Sequence, residues 1–256
     1  LLSRGSRIVT AIQAGKDIIV FTDTTVYAMT WIGGNFVYSF DVIADNVDLA
    51  GPNAAVMFQD NVYWMGQGGF YRFNGNVTNA NDSIDIEEIP STLQDYIFYD
   101  VDWDNSDKIC CGTNYAFNEI VWFYPSTSGD GSNDKYVVYN VTQNVWYYGT
   151  LDRSAWLDSS YQINPIGGSP DGYLYYHEDG ADDGSTTPAT ALDAYIESGP
   201  FDIEDGNKFQ TITRLIHDVR FRGDDPVGQT LTVTLSAADY PGQTAHNTSA
   251  SGVTRT

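Results

Sequence analysis

One pattern, written four times, constrains this chain more than any other feature: a short apolar strand rich in aromatic residues, a tight polar turn, and a second strand. Asp17-Ile18-Ile19-Val20-Phe21-Thr22 runs through Asp23-Thr24-Thr25 into Val26-Tyr27-Ala28-Met29. Asn61-Val62-Tyr63-Trp64-Met65 runs through Gly66-Gln67-Gly68-Gly69 into Phe70-Tyr71-Arg72-Phe73-Asn74. The third copy opens at Asn118, continues as Glu119-Ile120-Val121-Trp122-Phe123-Tyr124, crosses a loop from Ser126 to Asp134, and resumes in Lys135-Tyr136-Val137-Val138-Tyr139-Asn140 and Val145-Trp146-Tyr147-Tyr148-Gly149. A fourth opens at Asp171-Gly172-Tyr173-Leu174-Tyr175-Tyr176. The starts Asp17, Asn61, Asn118 and Asp171 lie 44, 57 and 53 residues apart, close to the ~40–50 residues of a four-stranded propeller blade with loop insertions. A single blade cannot bury both of its faces, so such units stack about a common axis.

Composition points the same way. The chain has 256 residues, 18 of them Tyr, with only 12 Lys and Arg together, a balance that favours strand formers over helix formers. The expected fold class is all-β: a β-propeller of four-stranded antiparallel blades, incomplete or joined by an additional small β-domain. Residues 1–190 are read as the blades and residues 191–256 as a C-terminal β segment that closes the propeller or starts the additional β-domain; a β-sandwich with irregular strands is the competing architecture. Pro90-Ser91-Thr92 supplies a start signal for one or two helical turns up to Phe98, or else a connecting loop. Beyond the polar loop from Gly180, strands are expected at Ala194–Ser198, Leu215–Phe221 and Leu231–Ser236, the last alternating apolar and hydroxyl side chains as a strand with one wet face does. Asn76-Val77-Thr78 and Asn140-Val141-Thr142 fit the glycosylation pattern, which arises often by chance.

The formal charge of −22 and pI near 4.1 exclude a basic groove that wraps nucleic acid, because such binding runs on Lys and Arg neutralising phosphates. An acidic wall is compatible with DNA in another way, since like-charge repulsion keeps a polyanion from sticking to a conduit; acidity also serves solubility alone. Cys110 and Cys111 are the only cysteines, and adjacent strand residues point to opposite faces, so two free thiols acting as small hydrophobes are expected rather than a disulfide or a zinc site. No apolar run reaches membrane-spanning length, so no membrane binding is expected. The absence of an initial Met and the ending at Thr256 lead to the expectation that this is a segment of a longer polypeptide.

No nucleophile elbow, P-loop, dinucleotide fingerprint or zincin motif occurs. The three histidines, His177, His217 and His246, have no metal-ligand spacing and read as structural hydrogen bonders. No catalytic, cofactor-binding or metal residue is assigned. The acidic clusters Glu178-Asp179 with Asp182-Asp183, and Asp130 with Asp134, could gather oxygen ligands for Ca²⁺ but match no EF-hand and read as solvated loops. With 34 acidic residues, some carboxylate pair meets glycosidase spacing by chance. The contiguous aromatics Trp122-Phe123-Tyr124 and Trp146-Tyr147-Tyr148 must face both sides of their strands, and so read as core between neighbouring sheets, with sugar stacking by an exposed subset as the alternative.

The stretches Phe117 to Pro125, Asp134 to Asn140, Trp146 to Trp156, Gly172 to Glu178 and Phe209 to Phe221 resemble the packaged-DNA stabilisation proteins of short-tailed bacteriophages, the β-propeller tail-hub or head-completion family. The resemblance runs from about Ile8 to Tyr240 and is most specific in its middle part. It implies a non-enzymatic virion protein of the neck or tail, assembled in the host bacterial cytoplasm, with no cofactor. It further implies a homo-oligomeric ring, a hexamer by analogy, that lies between a portal-adaptor protein and a distal tail protein and lines or plugs the exit path of double-stranded DNA. Asp130, Asp134, Asp182 and Asp183 are the candidate lumen-facing acids. The alternative is a propeller lectin or glycoside hydrolase, and a bacterial surface-adhesion domain is a third reading.

Overall fold

The computed structural model describes residues 4–34, 36–74, 86–158, 164–180, 194–201, 211–219, 230–240, 243–245 and 247–254. Two compact units divide at Gly180. The N-terminal unit is built from consecutive antiparallel meanders. The first sheet holds β1 (Ile8–Ala14), β2 (Asp17–Thr22), β3 (Thr25–Trp31) and β4 (Tyr38–Asp45). The second holds β5 (Ala55–Phe58), β6 (Asn61–Met65), β7 (Phe70–Asn74) and β8 (Ile86–Ile89). The third holds β9 (Cys110–Asn114), β10 (Glu119–Pro125), β11 (Asn133–Asn140) and β12 (Val145–Thr150), and the fourth the three short strands β13 (Ala155–Leu157), β14 (Ile166–Gly168) and β15 (Leu174–Tyr176). The all-β expectation holds; among the described residues the helical content is α1 (Gln94–Asp100) and a 3₁₀ turn at Trp103–Lys108, both between the second and third sheets.

Local chemistry sets these turns. Gln59 and Asp60 both take positive φ, 49° and 62°, the backbone that lets a two-residue hairpin match the twist of its strands, and they join Phe58 directly to Asn61. Gly15 (φ 59°) and Asn118 (φ 59°) serve the corresponding turns of the first and third sheets. The expected starts Asp17 and Asn61 therefore open second strands, and Asn118 immediately precedes one. Asp171 does not: it lies in the turn between β14 and β15, one strand out of phase.

Alternation along the strands of the third sheet sends two apolar layers in opposite directions. Trp122, Tyr124, Val137 and Tyr139 join a core shared with the first two sheets, whereas Val121, Phe123 and Val138 join a second core that takes in Trp156 of β13. Rings interlock across the larger core: Phe21 meets Trp64 edge-on at 5.3 Å, and Phe70 sits 5.0 Å from Trp122 and 4.5 Å from Trp146. The expected double burial is realised for Trp122-Phe123-Tyr124 on β10, but not for Trp146-Tyr147-Tyr148 on the edge strand β12, where Trp146 is half-buried and Tyr147 and Tyr148 are 41% and 47% exposed. The same alternation separates the two cysteines, Cys110 into the second core and Cys111 against the first; both thiols are free, and burial pushes the Cys110 thiol up to about 12.

The opening strands of successive sheets lie side by side, β1 next to β5, β5 next to β9, β9 next to β13. Where the chain enters β5, Asn53 bridges Cys110 in a parallel sense, and the Cys111 amide donates to the Asn53 carbonyl at 2.9 Å. Trp122 ties the same seam by donating its indole N–H to the Ala54 carbonyl at 3.0 Å. Outside the sheets, α1 is anchored by Asp100, which receives Lys135 Nζ at 2.9 and 3.0 Å and the Tyr124 hydroxyl at 3.2 Å.

In the C-terminal unit, β16 (Thr230–Ala237) pairs with β17 (Asn247–Thr254), and Val233 and Leu235 are half-buried where their neighbours are exposed, as the alternation at Leu231–Ser236 required. The stretches 194–201 and 211–219 form no strand.

Gly112 of β9 marks the closest approach between sheets. A Cβ there would stand 2.1 Å from Trp156 Cδ1, and overpacking of this kind costs about 1–3 kcal/mol. Gly112→Ala is expected to lower the unfolding free energy measured with urea by that amount with the β-sheet circular dichroism retained; an unchanged free energy would mean that Trp156 does not pack there.

Candidate functional site

The loop between β10 and β11 holds two of the expected lumen-facing acids. Asp134 is occupied within the loop: its carboxylate accepts from the Ser126 amide and the Ser126 hydroxyl, both at 2.7 Å. Asp130 is exposed, and the backbone and side-chain hydrogen bonds of Ser132 hold its carboxyl below the usual carboxylate range. Lys108 closes the loop from below by donating to the Gly131 carbonyl. The structure therefore leaves Asp130 as the outward charge and spends Asp134 on loop geometry. Asp182 and Asp183 lie outside the described residues. Among the described residues no group of three or more His, Cys, Asp or Glu side chains gathers into a metal-binding cluster, and no helix is long and apolar enough to cross a membrane.

A groove of about 480 Å³ opens where β1, β5 and β9 begin. Its charged lining is Asp23, Asp48 and Asp107 against a single cation, Arg7. Asp48 accepts from the Gln67 amide at 3.0 Å, and hydrogen bonds from Ser6 hold Asp23 below the usual carboxylate range. These acids were not picked out in the sequence, because each sits in a different loop and only the meeting of the opening strands unites them.

A second cavity, of about 140 Å³, lies between the third and fourth sheets. Its floor is one face of the third sheet: the register puts Asn114 opposite Glu119, and Val121 opposite Val138 with Tyr147 beyond. Its opposite wall is Leu151, Trp156, His177 and Glu178. Burial raises the Glu119 carboxyl, with the charge of Glu178 adding to it and hydrogen bonds from Tyr147 and Asn140 opposing it. Asn114 donates Nδ2 to Glu178 Oε1 at 3.2 Å.

His177 is a structural hydrogen bonder, as read from the sequence. Its Nε2 accepts from Arg153 Nε at 2.9 Å, and its ring lies 4.6 Å from Trp156, tilted by 42°. Burial, and then the neighbouring Arg153 charge, lower it to about 4. The Arg153 guanidinium lies 4.5 Å above the Tyr175 ring and reaches Asp152 with Nη1. Gly167 makes room for this arrangement, since a Cβ there would lie 2.7 Å from both Arg153 Cδ and His177 Nε2.

One sequence signal could have found the cavity. On β10 the side chains of Glu119, Val121 and Phe123 share one face, so an acid stands on an otherwise apolar stripe. Glu178 gave a weaker signal, being one of several acids in a run.

No family model matches this chain, and no curated protein is similar to it at a meaningful level. Among solved structures, the "Putative exported protein" of Bacteroides fragilis overlaps 64% of this chain and 68% of its own, at 9% identity and a TM-score of 0.29, a likeness too slight to carry an argument.

The depressed His177 has a pH consequence. The unfolded chain takes up its proton near the ordinary value of about 6.5 while the folded protein resists until about 4, so the unfolded state binds more protons between them. The stabilising contribution is complete above the upper value and is lost as pH falls to the lower. His177→Gln, whose amide oxygen can still accept from Arg153, is expected to flatten that part of a stability-against-pH curve measured by urea unfolding; an identical slope in both proteins would place the loss elsewhere.

Proposed function

We propose that this chain is a non-enzymatic structural subunit of a phage neck or tail, a β-propeller protein whose copies assemble side to side into a ring around the path of double-stranded DNA. The propeller reading is supported by successive up-and-down meanders with their opening strands adjacent, the arrangement of sheets radiating from a common axis. One observation carries the assembly: the central strands β6 and β10 of the inner sheets are buried on both faces, whereas the two end sheets each leave apolar side chains exposed on one face. On the first sheet the register aligns Trp31 with Tyr38 and Met29 with Phe40; Trp31 is 67% exposed, and Tyr27 further along the same face is buried. On the fourth, Leu157, Leu174 and Tyr176 share the outward face, and Leu174 is 78% exposed. Contiguous apolar surface of this kind marks a contact site.

The two faces differ in shape and composition, so the contact that covers both is heterologous, one copy's first sheet against the next copy's fourth. Such contacts generate a ring where the rotation between copies closes; the ring itself, the six-fold count, the portal-adaptor above and the distal tail protein below follow from the resemblance. The charge of −22, with Asp130 and Asp107 exposed and Asp48 half-buried in the groove, suits a wall past which DNA slides. The second reading is a lectin or glycosidase, for which the exposed rings of Trp31 and Tyr38 on the first sheet would be the stacking platform; glycan binding at that face separates it from assembly.

Native mass spectrometry or sedimentation is expected to give a closed oligomer of the chain. Phe40→Lys and Leu174→Lys should each shift it to monomer and short open species with the fold intact. Particles carrying Asp130→Asn together with Asp48→Asn and Asp107→Asn should retain or eject DNA abnormally. A monomer at all concentrations, or turnover of a chromogenic sugar, would overturn the reading.

A further inference from the structure

We infer that the free edge of β15 takes up an extended segment of another protein as the fourth strand of its sheet, with apolar side chains opposite Leu174 and Tyr176 and Lys or Arg at both ends. This goes beyond the assembly role and fails separately from it, since it uses the main-chain edge of the strand where assembly uses the outward face.

The first three sheets each hold four strands, and among the described residues the fourth stops at three. Its ladder says which groups are left over. The Ser169 amide donates to the Tyr173 carbonyl at 2.9 Å and the His177 amide to the Pro165 carbonyl at 2.8 Å. Between these bonds Ile166, Gly167 and Gly168 face Tyr176, Tyr175 and Leu174 in unbroken antiparallel register. Bonded and non-bonded pairs alternate along such a ladder. Tyr173, Tyr175 and His177 therefore turn their main-chain groups toward β14, and Leu174 and Tyr176 turn theirs away. Among the described residues no main-chain bond meets those outward N–H and C=O groups.

An open edge invites pairing unless something guards it, and the other outer strands are guarded. The strand β4 carries Asp41 and Asp45 and meets β3 through a bulge. The strand β8 reads Ile86-Glu87-Glu88-Ile89 and runs into Pro90. On β12 the Tyr148 ring lies 4.7 Å from Tyr96 of α1, and Trp146 donates its indole N–H to the Pro90 carbonyl. The strand β15 has no such device: Leu174-Tyr175-Tyr176 is uncharged and unbulged, with Leu174 78% and Tyr176 66% exposed.

The edge also defines its guest. An extended chain supplies donors and acceptors at the two-residue repeat of Leu174 and Tyr176. Paired antiparallel, as in the other three sheets, it sets two alternate residues directly opposite these two, with their side chains on the same outward face, where apolar groups lengthen the row. Charge sets the ends. Asp171 stands before the strand and Glu178 and Asp179 after it, all three exposed, while Arg153 is engaged by His177 and Asp152. A second copy, itself at −22, brings no complementary charge to this edge, whereas a segment with Lys or Arg at both ends does.

The test is amide hydrogen exchange by NMR on the full chain, titrated with the synthetic peptide acetyl-Lys-Lys-Val-Thr-Val-Thr-Val-Lys-Lys-amide. Two control peptides carry Glu in place of Lys, or N-methylated Val, which lacks the donors that would face β15. Saturable binding that slows exchange of the Leu174 and Tyr176 amides is expected from the first peptide alone. Tyr176→Pro removes an outward N–H that the fold itself does not use, and is expected to weaken binding by about tenfold with the near-ultraviolet circular dichroism unchanged. Tyr176→Ala keeps that N–H and should weaken it less. No protection by the Lys peptide, equal binding of either control, or equal loss in the Ala and Pro variants would overturn the assignment. Protection that instead rises with the concentration of the chain alone would give the edge to a second copy and overturn it too. The two control peptides decide the matter even if Tyr176→Pro does not fold, and the closed oligomer is read separately, from sedimentation without peptide.

Discussion

A four-stranded meander made of alternating aromatic residues has two apolar faces and no means of covering either. Everything else in this molecule follows from that shortage. The third sheet solves it by lying between neighbours: Trp122 goes toward Phe70 of the second sheet, and Phe123 goes toward Trp156 of the fourth. Truncating rings buried this way costs about 3–5 kcal/mol each in protein cores, so sheet-to-sheet packing, rather than the ladders within a sheet, decides that the four sheets form one body. The parallel seam between Asn53 and Cys110 then fixes which edges meet, and it leaves the far strands β4, β8 and β12 away from it.

How much of this was legible depended on how much each strand relies on its own residues. The strands β2, β6, β10 and β11 carry dense aromatic and β-branched runs ending at turn residues, and periodicity found all of them; the short helix after Ser91 had been left open against a connecting loop. The strand β9 was assumed for its two cysteines but had no periodic signal of its own. Cys110-Cys111-Gly112-Thr113-Asn114 has neither alternation nor bulk, because its place beside β5 and under Trp156 demands small side chains, and Gly112 is there for the space it leaves. The phase of the fourth copy failed for a related reason: Leu174-Tyr175-Tyr176 matches any strand of the repeat, and nothing local says that it is the third of its sheet. Long-range packing supplies both facts.

The acids show the same division between local and distant causes. Asp134 looked like surface charge and is instead the acceptor that closes its own loop, an arrangement local enough to be read from Ser126 and Asp134 once the turn is known. The pairing of Glu119 with Glu178 is different in kind, since 59 residues and two sheets separate them. Only the single out-of-place acid on β10 hinted at it. Carboxyl groups in apolar surroundings are costly; half-buried Glu119 offsets that cost with hydrogen bonds from Tyr147 and Asn140, while Glu178 stays exposed and accepts from the Asn114 amide.

The same accounting bears on how copies could meet. Each chain carries a net charge of −22, so two copies repel at long range, and an association of like with like cannot be driven by charge. It must be carried by apolar burial at short range. The open faces provide that, and they provide it asymmetrically. Trp31, Tyr38 and Phe40 present broad rings on the first sheet, while Leu157 and Leu174 present branched aliphatic side chains on the fourth. Inside one copy an aromatic layer already packs against the face of the next sheet in the same chain direction, as Phe123 does against Trp156. A contact from the first sheet of one molecule to the fourth of another repeats that internal geometry across a molecular boundary, and it uses each face once. Mating each face with its own kind would instead leave the sense of the array reversed at every second contact, with no internal precedent in the packing of the four sheets.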